Sequence, residues 1–277
     1  MEEHVLGITR FVNHIMGPLA AALLSKLHIQ PTNPETPIPQ HVVMGMLVVV
    51  IGTLLALAIK SRLSVEKPGA LQQAAEMLLT NPMGFGIKDL LEENVHHGAA
   101  KLIPFVGSIS IFILLSNLMG AFPNTFLVAP TGNTTVPLAC AVLTFVYFNW
   151  QGLKHHGPIK YLGTFAGSPK DFGSWALAIL LFPVELISTT ARLLSLTVRL
   201  WANMYASDLI YMIFLGLLAS GTVGWWSHPI RGSLFVVLTA FFPVVFIALH
   251  IFVAIVQAYV FTVLPSVYLG MATADEH

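Results

Sequence analysis

From Leu102 to Leu153 the chain runs for 52 residues without a single Asp, Glu, Lys or Arg. A bilayer core about 30 Å thick is crossed by about 20 helical residues, so a stretch this long is more than one crossing and has to turn. Pro123, Pro130, Gly132 and Pro137 cluster in its middle, where helix cannot continue. The pattern predicts helices near 102–121 and 136–152, joined as a membrane hairpin. Composition says the same of the whole chain: 13 basic and 13 acidic residues make up 9% of 277, hydrophobic residues make up 56%, and mean hydropathy is +0.78. Soluble proteins carry about 25% charged residues. There are too few polar groups here to coat a globule in water, so lipid solvates much of the surface. That excludes a soluble enzyme, a nucleic-acid binder and a disordered linker. Zero net charge removes bulk attraction to polyanions, and the single Cys140 excludes a disulfide framework or a Cys-rich metal site.

The opening MEEHVLGITR is acidic where a secretory leader needs cations, and PTNPETPIP at 31–39 is a Pro-rich spacer. Residues 42–59 form an uncharged span closed by Lys60 and Arg62. The segment 66–100 is polar again, with 70–80 (ALQQAAEMLLT) reading as a short helix in the interface. After a loop bearing Lys154, Lys160 and Lys170, two long apolar segments occupy 174–270 around the turn SGTVGWWSHPIRG. The expected fold is an all-α membrane protein in one domain, 1–277, with about five membrane-embedded helices plus an interfacial helix. Its parts are an outer segment 1–41, the span 42–59, a cytoplasmic or interfacial segment 66–100, the hairpin 102–152 and the long hairpin 174–270. With the N-terminus outside, eight Lys/Arg fall on the cytoplasmic side and three (Arg10, Lys26, Arg231) outside, which predicts N-out and C-in.

The last two segments are too long to stand upright. A helix over 177–218 measures about 63 Å, and it leans by roughly 60° or breaks. Residues 233–269 give about 55 Å. Pro183, Pro243 and Pro265 can absorb part of this by kinking. Either the two form a tilted hairpin whose broad side faces something other than lipid, or each is an ordinary span with an interfacial extension. Polar content bears on the choice. Glu185, Arg192, Arg199 and Asp208 lie in the first segment, and each charge costs about 2.5–3.5 kcal/mol at the membrane centre. Glu185, Ser188, Arg192, Ser195, Arg199 and Asn203 recur at steps of three and four, so they share one face, which has to line water or meet protein. Asp208 lies half a turn round on the opposite face. The second segment has no Asp, Glu, Lys or Arg from Gly232 to Ala274, and its deep polar groups are His250 and Gln257, seven apart. A neutral His gives and accepts a proton; Gln hydrogen-bonds without charge.

The run Ser195-Leu-Thr-Val-Arg199-Leu-Trp-Ala-Asn203-Met-Tyr-Ala-Ser-Asp208-Leu, with His250 and then Gln257-Ala-Tyr-Val-Phe, resembles the subunit a family of F-type ATP synthases. KLIPFVGSISIFILLSNLMGAFPN (101–124) looks like that family's first hairpin, and the ending VYLGMATADEH is similar to bacterial members. The resemblance covers most of the chain; residues 1–40 and 122–137 carry nothing diagnostic. It implies a multi-pass protein of the bacterial inner membrane that couples proton flow to a rotor. Its implied partners are a c-subunit ring, a b-subunit peripheral stalk, membrane lipid and the rest of the complex, with no nucleic acid. Arg199 matches the family's stator arginine, which faces the rotor carboxylate. A guanidinium stays charged at any working pH and favours the ionised carboxylate, whereas only the neutral carboxyl can turn into lipid. Asn203 and Gln257 match polar positions beside that arginine. Asp208 and His250 match the pair of the outer half-channel, with Asp where many relatives have the longer Glu. Glu185 matches the acid of the cytoplasmic half-channel, Ser195 lies between it and Arg199, and Arg192 holds an often basic position.

Other readings remain beside this one. Arg199 can pair with a carboxylate inside the bundle, and His250 with a backbone carbonyl. Ser188 and Ser195 can bond their own helix. A secondary transporter using Arg199 to bind an anionic solute lacks the internal repeats such proteins show. A haem oxidoreductase lacks facing His pairs. His96-His97 and His155-His156 sit in polar loops, and adjacent residues point apart, so no metal is expected. No cofactor and no catalytic site of its own are expected either, since no Gly-rich phosphate loop is present.

Overall fold

The computed structural model describes residues 6–28, 30–31, 33–81, 84–95, 98–121, 128–165, 172–225 and 229–273, with side chains omitted at 159, 162, 164, 172–177, 215, 217–240, 242 and 243. All regular structure among the described residues is helical. The order is α1 (Gly7–Lys26), α2 (Gln40–Ser61), α3 (Ala70–Leu79), α4 (Ile87–Asn94), α5 (Ala99–Met119), a 3₁₀ turn (Pro130–Gly132), α6 (Thr135–His156), α7 (Pro158–Phe165), α8 (Phe172–Trp225) and α9 (Pro229–Thr273). Among the described residues, five helices are long and apolar enough to cross a membrane: α2, α5, α6, and the stretches Ala178–Phe214 of α8 and Val244–Thr273 of α9. This is the expected all-α membrane architecture. The interfacial helix expected at 70–80 is α3. Helices α1, α4 and α7 go beyond the expectation. The first has Pro18 inside it. The last starts by the N-terminal proline rule, with Pro158 following Gly157 at φ 77°.

Helix α8 runs 54 residues and α9 runs 45, beyond the expected 177–218 and 233–269. At 1.5 Å per residue α8 is about 81 Å long, and helical structure continues through Pro183 without interruption. Of the two ways to fit, breaking is therefore not used. The 37 residues Ala178–Phe214 alone span about 56 Å, so lying wholly in a core of about 30 Å requires a lean of roughly 57°.

The chain forms two compact units. One comprises Met1–Leu54, Phe112–Val136 and Leu200–Val256; the other comprises Leu55–Ile111, Pro137–Arg199 and Gln257–His277. In the first, Met44 and Val48 of α2 close against Met119 of α5, with Leu47, Phe112 and Leu115 around them. There α8 and α9 are antiparallel, since Ser207 meets His250 while Phe214, further along α8, meets the earlier Phe246 at 5.0 Å between ring centroids. In the second unit, Ile87 and Leu91 of α4 pack with Leu102 and Val106 of α5, Phe148 of α6, Tyr161 of α7 and Leu269 of α9. Gly152 lies under the Tyr161 ring, where any Cβ would collide. Across that unit the buried hydroxyls of Ser110 and Thr262 meet at 2.7 Å.

Candidate functional site

In the first unit the site is built around the imidazole of His250, 5% exposed on α9. Its Nε2 lies 3.0 Å from the main-chain oxygen of Asn117 at the end of α5. A carbonyl only accepts, so Nε2 carries the proton and donates. Nδ1 lies 2.6 Å from Oγ of Ser207 on α8, so in the neutral ring Nδ1 accepts the serine O–H. When the ring is doubly protonated, Nδ1 donates instead and the hydroxyl turns round. Nε2 is thereby held, and Nδ1 is the atom free to exchange a proton.

The ring is also held by shape. A Cβ on Gly120 would stand 2.9 Å from Nε2 and 3.0 Å from Cε1, so no larger residue fits without displacing the imidazole. Asn117 is itself fixed, its Oδ1 accepting the Thr131 hydroxyl at 2.7 Å. Its Nδ2, and Oγ of Ser116, are buried with no hydrogen-bond partner among the described residues. Asp208, next to Ser207 on α8, joins His250, Ser207, Tyr211, Phe246 and Gly120 around a cavity of about 10 Å³, room for about one water. Asp208 and His250 thus line one and the same cavity. Sequence reasoning does not single out Ser207, Asn117 or Gly120; the available signal is Asn117, the one amide of α5, in the charge-free part of that helix from residue 102 on.

The second unit holds a different polar pocket. Glu185 and Arg192, two turns apart on α8, pair at 3.7 Å between Oε1 and Nη2, and the guanidinium sits 5.4 Å above the Tyr268 ring of α9. Both line a cavity of about 180 Å³ with Thr189, Tyr161, Phe148 and Tyr268, large enough for several waters. Arg192 is therefore the direct partner of Glu185.

The buried line of α8 runs through Thr189, Leu196, Leu200 and Met204. The expected polar stripe lies about a quarter turn away from that line at 100° per residue. Glu185, Ser188, Arg192 and Asn203 are accordingly half-buried, while Ser195 and Arg199 are exposed. Arg199 Nη2 reaches Ser195 Oγ at 3.5 Å, the outer limit for a hydrogen bond. Gln257 is buried, and its Oε1 has no hydrogen-bond partner among the described residues. No group of three or more His, Cys, Asp or Glu able to hold a metal occurs among the described residues; His155 stacks edge-on against His156, and His96-His97 lie outside those residues.

Fold and site together define a multi-pass, all-helical membrane protein with an acid, a base and an arginine embedded along one pair of very long helices. The family model of the ATP synthase A chain matches residues 41–270. Subunit a of the ATP synthase of Koribacter versatilis is 36% identical over 274 residues, covering 99% of each chain. That of Solibacter usitatus is 38% identical over 241 residues, or 87% of this chain and 90% of its own. The one from Desulfosudis oleivorans is 35% identical over 231 residues, or 83% and 86%. The chain belongs to the ATP synthase subunit a family.

Proposed function

We propose that this chain is the proton-translocating stator subunit of an F-type ATP synthase. In this reading it offers two offset aqueous half-channels to the carboxylates of a c-subunit ring and keeps them apart with Arg199. The observation that carries the reading is the pair of separate polar cavities. One, within the first unit, holds Asp208 and His250; the other, within the second unit, holds Glu185 and Arg192. On α8, Arg199 is the last residue of the second unit and Leu200 the first of the other.

The chemistry follows from the groups themselves. A proton arriving from outside passes between Asp208 and Nδ1 of His250 through the Ser207 hydroxyl, which accepts on one side and donates on the other. It is delivered to a rotor carboxylate, whose neutral form can then enter lipid. After a turn of the ring that carboxyl meets Arg199, whose permanent charge favours the ionised form and expels the proton toward Glu185. Asn203 and Gln257 orient the guanidinium, Ser195 accepts from it, and the Glu185–Arg192 pair with Ser188 keeps the cytoplasmic side wet. The exposed position of Arg199 on a membrane helix fits this role, since a cation there needs a counter-charge from outside the chain. In this reading the chain lends a proton path and leaves nucleotide chemistry to other subunits. The reading includes a b-subunit stalk as neighbour and an orientation with the N-terminus outside.

Arg199→Ala is the test. Inverted vesicles carrying the assembled complex should lose ATP-driven acidification, with the ring still present. Retained pumping would overturn the proposed role.

A further inference from the structure

Helix α1 is not one of the five helices apolar enough to cross the membrane. Its surface divides into three arcs. Thr9, Asn13 and Gly17 recur every fourth residue and are buried. Asn13 clamps this face to the chain ahead of α2: its Nδ2 donates to the Ile38 carbonyl at 3.0 Å, and the Ile38 N–H donates to its Oδ1 at 2.9 Å. The second arc carries Phe11, Ile15, Leu19 and Leu23, exposed by 66%, 64%, 63% and 55%. At 100° per residue Ile15 lies roughly 200° from Asn13, so this apolar arc is opposite the clamped face. The third arc, between them, bears Arg10 and His14. Residues 7–26 also include Lys26 and contain no Asp or Glu.

The clamp sets the depth. Ile38 lies two residues before the start of α2, the most apolar of those spans. The first residues of α2 mark where the chain enters hydrocarbon, and the double bond to Asn13 holds the middle of α1 near that level. An upright α1 pinned at Asn13 would send either its Arg10 end or its Lys26 end into hydrocarbon, and a cation there is costly. A flat α1 sinks only the apolar arc.

We propose that α1 lies flat in the membrane interface at the N-terminal end of α2. Phe11, Ile15, Leu19 and Leu23 sit among the acyl chains, while Arg10 and His14 meet the phosphates of anionic phospholipid headgroups. A helix whose two formal charges, Arg10 and Lys26, are both basic, beside a membrane span, favours lipid over a protein partner as the occupant of this face.

A genetically encoded fluorescent amino acid in place of Ile15, and separately in place of Arg10, reads the placement in the intact, pumping complex. Vesicles contain phosphatidylcholine with or without phosphatidylglycerol. Doxyl-labelled lipid should quench the Ile15 probe several-fold more than aqueous iodide does, and the Arg10 probe should show the reverse. Phosphatidylglycerol should strengthen lipid quenching at Ile15, and Arg10→Gln with His14→Gln should abolish that dependence. Leu19 serves as a second probe site should the Ile15 replacement fail to assemble. Dominant iodide quenching at both apolar sites, or protection from both quenchers as under a protein partner, would overturn the proposal. Absence of any phosphatidylglycerol effect in the unsubstituted chain would overturn its headgroup part.

Discussion

Gly120→Ala adds one methyl group against the imidazole on which the outer pocket is built. The new Cβ would lie 2.9 Å from His250 Nε2, 3.0 Å from its Cε1 and 3.0 Å from the Ala129 Cβ. Ordinary carbon contacts begin near 3.5 Å, so a displacement of roughly 0.5 Å or more is required. The methyl is wedged between the ring and Ala129, and the ring is anchored on its far side by the 2.6 Å contact with Ser207. Moving the ring away from the methyl can stretch the 3.0 Å bond from Nε2 to Asn117 to about 3.5 Å, the outer limit for a hydrogen bond. Overpacking of this kind costs about 1–3 kcal/mol, a figure that includes the roughly 0.5–1.5 kcal/mol of one net hydrogen bond. If proton transfer needs the imidazole where it stands, that cost lowers the competent population by about 5- to 160-fold.

The assay is ATP-driven acidification of vesicles, with subunit content and ATP hydrolysis measured in parallel to separate coupling from assembly. Gly132→Ala is the matched control. Its Cβ would meet Asp208 Oδ2 at 3.4 Å, an ordinary contact, and pumping should stay near that of the unsubstituted complex. Pumping by Gly120→Ala within twofold of the control would refute the argument, since it would mean that the ring's position does not govern transfer.

Removing the hydroxyl in Ser207→Ala leaves Nδ1 without its partner and should slow pumping by about 2- to 10-fold, the equivalent of one net hydrogen bond, while Ser207→Thr keeps the donor and most of the rate. Equal losses in the two variants would show that packing, not the hydroxyl, is what matters. In the second unit Gly152→Ala drives a methyl into the Tyr161 ring and should lower chain stability by about 1–3 kcal/mol in thermal unfolding; Tyr161→Leu in the same chain should recover part of it. Additive losses in the double variant would refute the clash.

What was legible in the sequence is what lipid makes expensive. Spans stand out because hydrocarbon leaves no backbone polar group unpaired, so 42–59 and the charge-free 102–153 already located α2, α5 and α6 to within a few residues. The short α3 was legible from its spacing, but α1 and α7 were not, because each depends on a contact outside itself: α1 is anchored by Asn13 to a backbone 25 residues away, and α7 lays Tyr161 over Gly152 of α6. The candidate site divides in the same way. Glu185, Arg192, Arg199 and Asp208 stand out because a charge inside the membrane needs a reason, and His250 because it is the one imidazole in a deep apolar run. Ser207 and Asn117 carry no such cost. Hydroxyls on membrane helices usually bond their own turn, as Thr189 does to the Glu185 carbonyl and Thr197 to that of Leu193, so a serine in a helix reads as self-satisfied. Only the meeting of α5 and α9, across 133 residues of sequence, turns the Asn117 carbonyl into the acceptor that selects the His250 tautomer. Gly120 is further hidden, since its contribution is the absence of a side chain. Groups that carry charge are therefore readable from their cost, whereas groups that aim a charge act through direction and distance, which composition and spacing do not record.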